Sequence, residues 1–377
     1  MTTTTQRPEQ VPAEPHQSPS AFPRARAADL AERFGLVLAW VLMILFFSFK
    51  LPETFPHWAD NWGPNILGSS AVLVVLTLGL LIPLTAGDYD LSVAAILTLS
   101  ANTVALLNVN HNQSIWVAML AGLLVGAGVG LTNGAFVVVF GVDSLIATLG
   151  MATFLQGIVA WISASQNITG VSNTLTRWTI GKHLGGVPVE FYYGLVLCLI
   201  VWYVFEFTPL GKRLLFVGRG RTVSLLSGIK VARLRWLALV ASGTIAGFAG
   251  VLYVGTLGGS DPTSGTTLLL PALAAAFLGA TAIVPGRFNP WGTLIAVYFL
   301  ATGINGLQLL GVPSYVQQLF YGGALVLAVA LSQLSRRRGG GGAGDLRIPA
   351  WALAATIALV VAAFVAFLIV LGTTQTS

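Results

Sequence analysis

The stretch 116–140 reads WVAMLAGLLVGAGVGLTNGAFVVVF, twenty-five residues without a single charge. At about 1.5 Å of rise per residue, a helix of that length crosses the roughly 30 Å hydrocarbon core of a bilayer. Within it, Gly122, Gly126, Gly130 and Gly134 recur every fourth residue. That spacing lays them along one stripe of a helix, where a second backbone can come close. The stripe implies tight helix packing and says nothing of what the bundle moves. A weaker version, Gly243, Gly247 and Gly250, lies in 236–257.

The whole chain reads in the same way. Of its 377 residues, 55% are hydrophobic and 8% charged, against about 25% charged in an ordinary soluble domain; mean hydropathy is +0.82. So few charges cannot cover a water-soluble fold of this size. The expectation is an all-α polytopic membrane protein with spans near 34–50, 66–86, 91–109, 115–140, 144–164, 191–207, 236–257, 268–285, 290–311, 315–334 and 350–372. Pro83 and Pro271 are expected to interrupt two of them, which is tolerated only where backbone is buried or faces a cavity. Residues 1–30, rich in Thr, Pro, Gln and Ala, read as a disordered tail. They are not a cleavable signal peptide, because the first apolar run begins only near Phe34. The membrane domain then occupies 31–335, a basic and Gly-rich linker 336–349, and one additional C-terminal span 350–377. The lone Cys198 excludes disulfides and cysteine-ligated metals, and the histidines at 16, 57, 111 and 183 share no helical face. No metal site is expected.

Charge placement orients the spans. The segment from Thr208 to Arg235 holds Lys212, Arg213, Arg219, Arg221, Lys230, Arg233 and Arg235 and no acid. Short loops rich in Lys and Arg stay in the cytoplasm. With the N-terminus inside, sixteen of the nineteen basic residues fall on inner segments and only Lys50, Arg177 and Lys182 outside. The net charge of +6 is therefore a topology signal, and it gives no case for nucleic acid.

A repeat is legible too. Asp90 precedes the third span and Asp261 the eighth; Asn133-Gly134 precedes Gly141-Val142-Asp143-Ser144, and Asn305-Gly306 precedes Gly311-Val312-Pro313-Ser314. These matches predict two inverted repeats, 66–164 and 236–334, a plan common in transporters. The candidate translocation or gate residues are Asp88, Asp90, Ser92, Asp143 and Asp261. Asp90 and Asp143 also stand where helix N-caps belong. The longest outer loop, Ser165 to Glu190, could receive an outside partner or serve as plain surface.

No catalytic constellation and no phosphate-cradling G-x-x-x-x-G-K-[ST] occurs, so energy is expected from another chain. Within the basic segment, Thr222 to Ile229 is a candidate short helix, with Val223, Leu226 and Ile229 at helical spacing. Such a helix suits a groove on a cytoplasmic partner.

Gly87-Asp88-Tyr89-Asp90-Leu91-Ser92-Val93 resembles the G-x-x-D-L-S-V-G signature of ribose/xylose-type permeases of bacterial ABC importers. Ser144 to Met151 is similar to their F-I-A-T-L-G-M stretch, and Leu226-Ser227-Gly228-Ile229 to their L-S-G-I loop segment. The resemblance runs from about residue 36 to 335. It implies a multi-pass subunit of the bacterial cytoplasmic membrane, paired with a second permease copy and with ATPase subunits that use ATP and Mg²⁺. It also implies an external substrate-binding protein and surrounding lipid. The chain itself would bind no cofactor, and Thr222, Val223, Ser224, Leu225, Leu226, Ser227, Gly228 and Ile229 would couple it to the ATPase. Ala94 stands where the signature ends in Gly, and Leu270-Pro271 where an acidic position is usual, so the sugar is not specified. A branched-chain amino-acid or nucleoside permease, an ion-coupled secondary transporter and a membrane scaffold are the other readings.

Overall fold

The computed structural model describes residues 22–339. The additional span at 350–372, most of its linker and the start of the tail lie outside the described residues. The helices are α1 (Phe22–Lys50), α2 (Ala71–Thr85), α3 (Val93–Ala105), α4 (Ile115–Gly134), α5 (Ser144–Ile162), α6 (Asn173–Thr176) and α7 (Val189–Phe207). They continue with α8 (Pro209–Arg219), α9 (Arg221–Leu226), α10 (Val231–Leu257), α11 (Ser264–Gly279), α12 (Pro290–Leu309) and α13 (Tyr315–Gly339). A π-helical segment, Trp58–Gly68, leads into α2, and π-helical turns extend α3 to Asn110 and α4 to Val139. Among the described residues, eight helical stretches are long and apolar enough to cross a membrane, and α11 and Tyr315–Ala330 are shorter apolar helices. The protein is an all-α polytopic membrane protein.

Sequence sets most of the boundaries. Asn289 accepts the Gly292 amide at 2.6 Å and Pro290 follows it at the first helical position, where the missing N–H costs nothing. Asp143 caps α5 by accepting the Leu145 amide at 2.9 Å, and Thr208, before Pro209, caps α8. Some features differ from expectation: α10 begins earlier, at Val231, and α11 runs from Ser264 to Gly279 rather than over 268–285. The first helix begins at Phe22, inside the segment read as a tail. Pro83 lies within the last turn of α2, and Pro271 sits inside α11, which continues through it. Both prolines are buried, so neighbouring helices exclude lipid from the freed carbonyls.

The apolar distribution determines depth. Fourteen of the fifteen residues of α2 are buried; a helix apolar all round belongs at the centre. Around it, α10 packs along α2, α3 and α4. α3 packs on α4 and α5, as α11 packs on α12 and α13, while α3 also meets α11. Thr98 and Ser264 join those two helices through their hydroxyls at 3.1 Å. By contrast α5 exposes Ile146, Phe154 and Trp161, the surface expected of a helix facing lipid or another subunit.

α4 and α10 pack backbone against backbone. A Cβ on Gly130 would stand 2.7 Å from the Leu239 carbonyl oxygen, and one on Gly126 would collide with the Gly243 carbonyl and come within 2.8 Å of Gly247 Cα. Gly122 faces Ser100 and Val104, and Gly134 faces the Trp236 ring. Gly128, on the other face of α4, meets nothing within 4 Å. Gly126→Leu is therefore expected to cost about 3 kcal/mol or more through overpacking, whereas Gly128→Leu should stay within about 0.5 kcal/mol of wild type. Thermal unfolding of the detergent-solubilised pair checks this; equal stability of the two variants would refute the contact.

Candidate functional site

The loop 86–92 joins α2 to α3 at the end of the bundle that also carries α8, α9 and most of the basic residues. Gly87 turns the chain with φ +79°, a conformation glycine adopts without steric cost. α8 closes over the end of α2, where Gly218 comes so close to the Thr85 carbonyl that a side chain there would collide with it.

Asp88 is 1% exposed, and two arginines neutralise it. Arg235, at the start of α10, donates from Nε to Oδ2 and from Nη2 to Oδ1, both at 2.7 Å. Arg221, the first residue of α9, donates from Nη2 to Oδ1 at 2.8 Å and to the Gly87 carbonyl at 2.8 Å. The two guanidiniums differ in setting: the Arg221 side chain is 44% exposed and that of Arg235 16%. A cavity of about 310 Å³ opens beside them, lined also by Asp143 and Ser144. Two acids thus face two arginines there.

Asp90 lies deeper and is fully buried. It does not cap α3, which begins at Val93; instead Oδ1 accepts the Ser92 amide at 3.1 Å and hydroxyl at 2.6 Å. Ser242 of α10 donates to Oδ2 at 2.8 Å, and Asn133 of α4 donates to the Ser92 hydroxyl at 2.8 Å. Burial pushes the Asp90 carboxyl above its ordinary value, and the serine hydrogen bonds oppose that shift. The loop backbone is held by α5, whose Ser144 and Thr148 hydroxyls accept the Tyr89 and Leu91 amides at 3.1 and 3.0 Å. Loop 86–92 and Ser92 at its end are therefore tied to α4, α5, α9 and α10 together.

Asp261 stands apart, at the opposite end of the bundle. It binds the Thr263 amide and hydroxyl, both at 2.8 Å, in the same local turn as Asp90 and Ser92. The adjoining Gly259–Ser260 pairs antiparallel with Ile168–Thr169 of the long loop. Asp143 is exposed and caps α5. The sequence alone did not single out Ser242 or Thr148, nor Arg221 and Arg235 as partners of Asp88. Asn133 carried a signal, the Asn-Gly pair that recurs at Asn305-Gly306.

The segment 222–229 forms α9 and a turn, ending at Gly228 with φ +75°. Val223, Leu225 and Leu226 are exposed, Leu226 to 85%, while Ser224 is buried and bonds back to Gly220. These exposed apolar side chains stand beside the basic residues of α8 and α10.

The family model described as "Branched-chain amino acid transport system / permease component" matches residues 64–330. The D-allose transport system permease protein of Escherichia coli K12 is 30% identical over 303 residues, 80% of this chain and 92% of that protein. The ribose import permease protein of the same strain is 33% identical over 70% of this chain and 83% of its own length. The L-arabinose ABC transporter permease protein of Azospirillum brasilense is 28% identical over 84% of this chain and 92% of its own. No solved structure matches.

Removing one partner of a buried ion pair leaves an uncompensated charge and costs about 3–5 kcal/mol, whereas an exposed pair contributes about 0–1 kcal/mol. Arg235→Gln should therefore lower thermal stability strongly and Arg221→Gln only slightly. Melting curves of the two solubilised variants give the comparison, and equal losses would contradict the assigned burial difference.

Proposed function

The chain belongs to the branched-chain amino acid transport system / permease component family, and we propose that it is the permease subunit of an ATP-binding cassette importer for a monosaccharide. The observation that carries this reading is its likeness to permeases named for D-allose, ribose and L-arabinose, over 70–84% of its length. Those relatives favour a sugar over an amino acid or a nucleoside, although the family description names branched-chain amino acids. The buried polar loop and the exposed α9 at one end of the bundle support a transport role driven from outside the chain.

In this reading the basic end lies in the cytoplasm, because short Lys- and Arg-rich loops are retained there. The N-terminus then lies on the cytoplasmic side of the bacterial cytoplasmic membrane. Two ATPase subunits dock on the exposed apolar residues of α9 and use ATP and Mg²⁺. A second permease copy completes the pathway, and an external sugar-binding protein delivers substrate to the opposite end, where the long loop pairs with Gly259–Ser260. ATP-driven closure moves α9, and the two halves, meeting at α3 and α11, rock between outward and inward access.

A pull-down of the full-length protein from solubilised membranes should recover an ATPase bearing a phosphate-binding loop. Uptake of radiolabelled D-ribose, D-allose or L-arabinose should stop when ATP is depleted and survive collapse of the proton gradient; the opposite pattern would return the protein to the secondary transporters. Leu226→Glu should weaken ATPase association about tenfold, the loss expected when one anchoring contact of an interface is removed. Undiminished co-purification of that variant would detach α9 from the docking role.

A further inference from the structure

We propose that Arg221 and Asp88 form the mechanical link through which movement of α9 reaches the translocation pathway, making Arg221 a positioning residue for transport. This inference rests on the importer reading above and goes beyond it by naming the link.

Four observations carry it. Among the described residues, the side-chain hydrogen bonds that leave α9 for the rest of the bundle are those of Arg221, to Gly87 and Asp88. The hydroxyls of Ser224 and Ser227 bond back within the segment, to Gly220 and Val223. The receiving loop is no loose end, since α5 holds its amides through Ser144 and Thr148 and α10 holds Asp90 through Ser242. Beyond the loop runs α3, whose Thr98 meets Ser264 of α11 at 3.1 Å, so a displacement of the loop is delivered to the contact between the two halves. Finally, Arg235 grips the same carboxylate with two hydrogen bonds of its own.

That last feature determines how the link can work. A buried carboxylate with one arginine could not release it, because an uncompensated charge would remain. Asp88 retains Arg235 when Arg221 lets go. The α9 contact can therefore break and re-form in each cycle while the loop stays anchored to α10. The partial exposure of Arg221 and the adjoining cavity, which Asp143 also lines, leave its guanidinium room to move.

The test uses the full-length chain reconstituted in proteoliposomes with its ATPase and external binding protein. Phosphate release is measured alongside uptake of whichever of radiolabelled D-ribose, D-allose or L-arabinose the wild type accepts. Arg221→Gln is expected to lower sugar moved per ATP about tenfold while hydrolysis stays within about twofold, the size of a lost coupling interaction. Arg221→Lys, which keeps the charge but not the fork, should recover part of that ratio. Arg235→Gln should lower thermal stability, and its folded fraction should also move less sugar per ATP, because Arg221 could no longer release a carboxylate left with no second arginine; a near-normal ratio in that variant would remove Arg235 from the link. An unchanged sugar-to-ATP ratio in Arg221→Gln, in a complex whose wild type shows ATP-dependent uptake, overturns the link and leaves the importer reading standing. Wild-type uptake that ignores ATP removes the importer reading itself.

Discussion

The contact on which the other arrangements depend is the backbone approach of α4 to α10 across Gly126, Gly130 and Gly243. In lipid there is no hydrophobic force to draw helices together, so association comes from dense packing and interhelical hydrogen bonds. Glycines at these positions let two helices meet carbonyl against Cα. The consequence extends past the contact. Seating α10 here brings Ser242 within 2.8 Å of Asp90 and Arg235 within 2.7 Å of Asp88. The same seating brings Gly247 to Ser100 of α3, whose hydroxyl donates to its carbonyl at 2.8 Å. A wider crossing would leave two buried carboxylates without these partners, so the apolar stripe and the polar loop depend on the same helix pair.

The two halves of the bundle share local chemistry while running in opposite directions. Asp90 with Ser92 and Asp261 with Thr263 make the same turn, a carboxylate accepting both the amide and the hydroxyl two residues on. Each turn leads into a helix, α3 or α11, packed by the two helices that follow it. Asn133 and Asn305, in the matching Asn-Gly pairs, each have a buried side-chain oxygen with no hydrogen-bond partner among the described residues. These correspondences lie in the polar residues as much as in the helices.

Much of the architecture was legible because burial in lipid writes itself into composition. Uncharged runs such as 116–140 announce helices, and the four-residue glycine spacing announces a close neighbour. The charge clamp could not be read in the same way. Asp88 lies 133 positions from Arg221 and 147 from Arg235, and no periodicity connects residues so far apart. The seven basic residues of 208–235 read as a topology marker, since like charges spread over one segment carry no sign of which two turn inward. Only packing separates Arg221 and Arg235 from Lys212, Arg213, Arg219, Lys230 and Arg233. Asp90 was visible as a polar residue at a helix start. Its actual partners, Ser92 and Ser242, required knowing that α10 packs against the loop, since Ser242 lies 152 positions away.

The shared turn has unequal surroundings, and the inequality implies unequal stiffness. At the basic end, loop 86–92 carries a buried carboxylate held by three guanidinium hydrogen bonds, a second carboxylate held from α10, and amides held from α5. At the opposite end Asp261 is only partly buried and bonds within its own turn, and its neighbours Gly259 and Ser260 meet the long loop through a two-residue bridge. Charge-assisted bonds in a water-poor interior are stronger than neutral ones and lose more when broken. Displacing the first turn therefore breaks charge-assisted bonds to α9 and α10, while displacing the second breaks neutral ones, the bridge to the long loop and the Ser260 hydrogen bond to Asn102 of α3 at 3.2 Å. In the proposed importer, the end tied by charge-assisted bonds is the one on which the ATPase would dock.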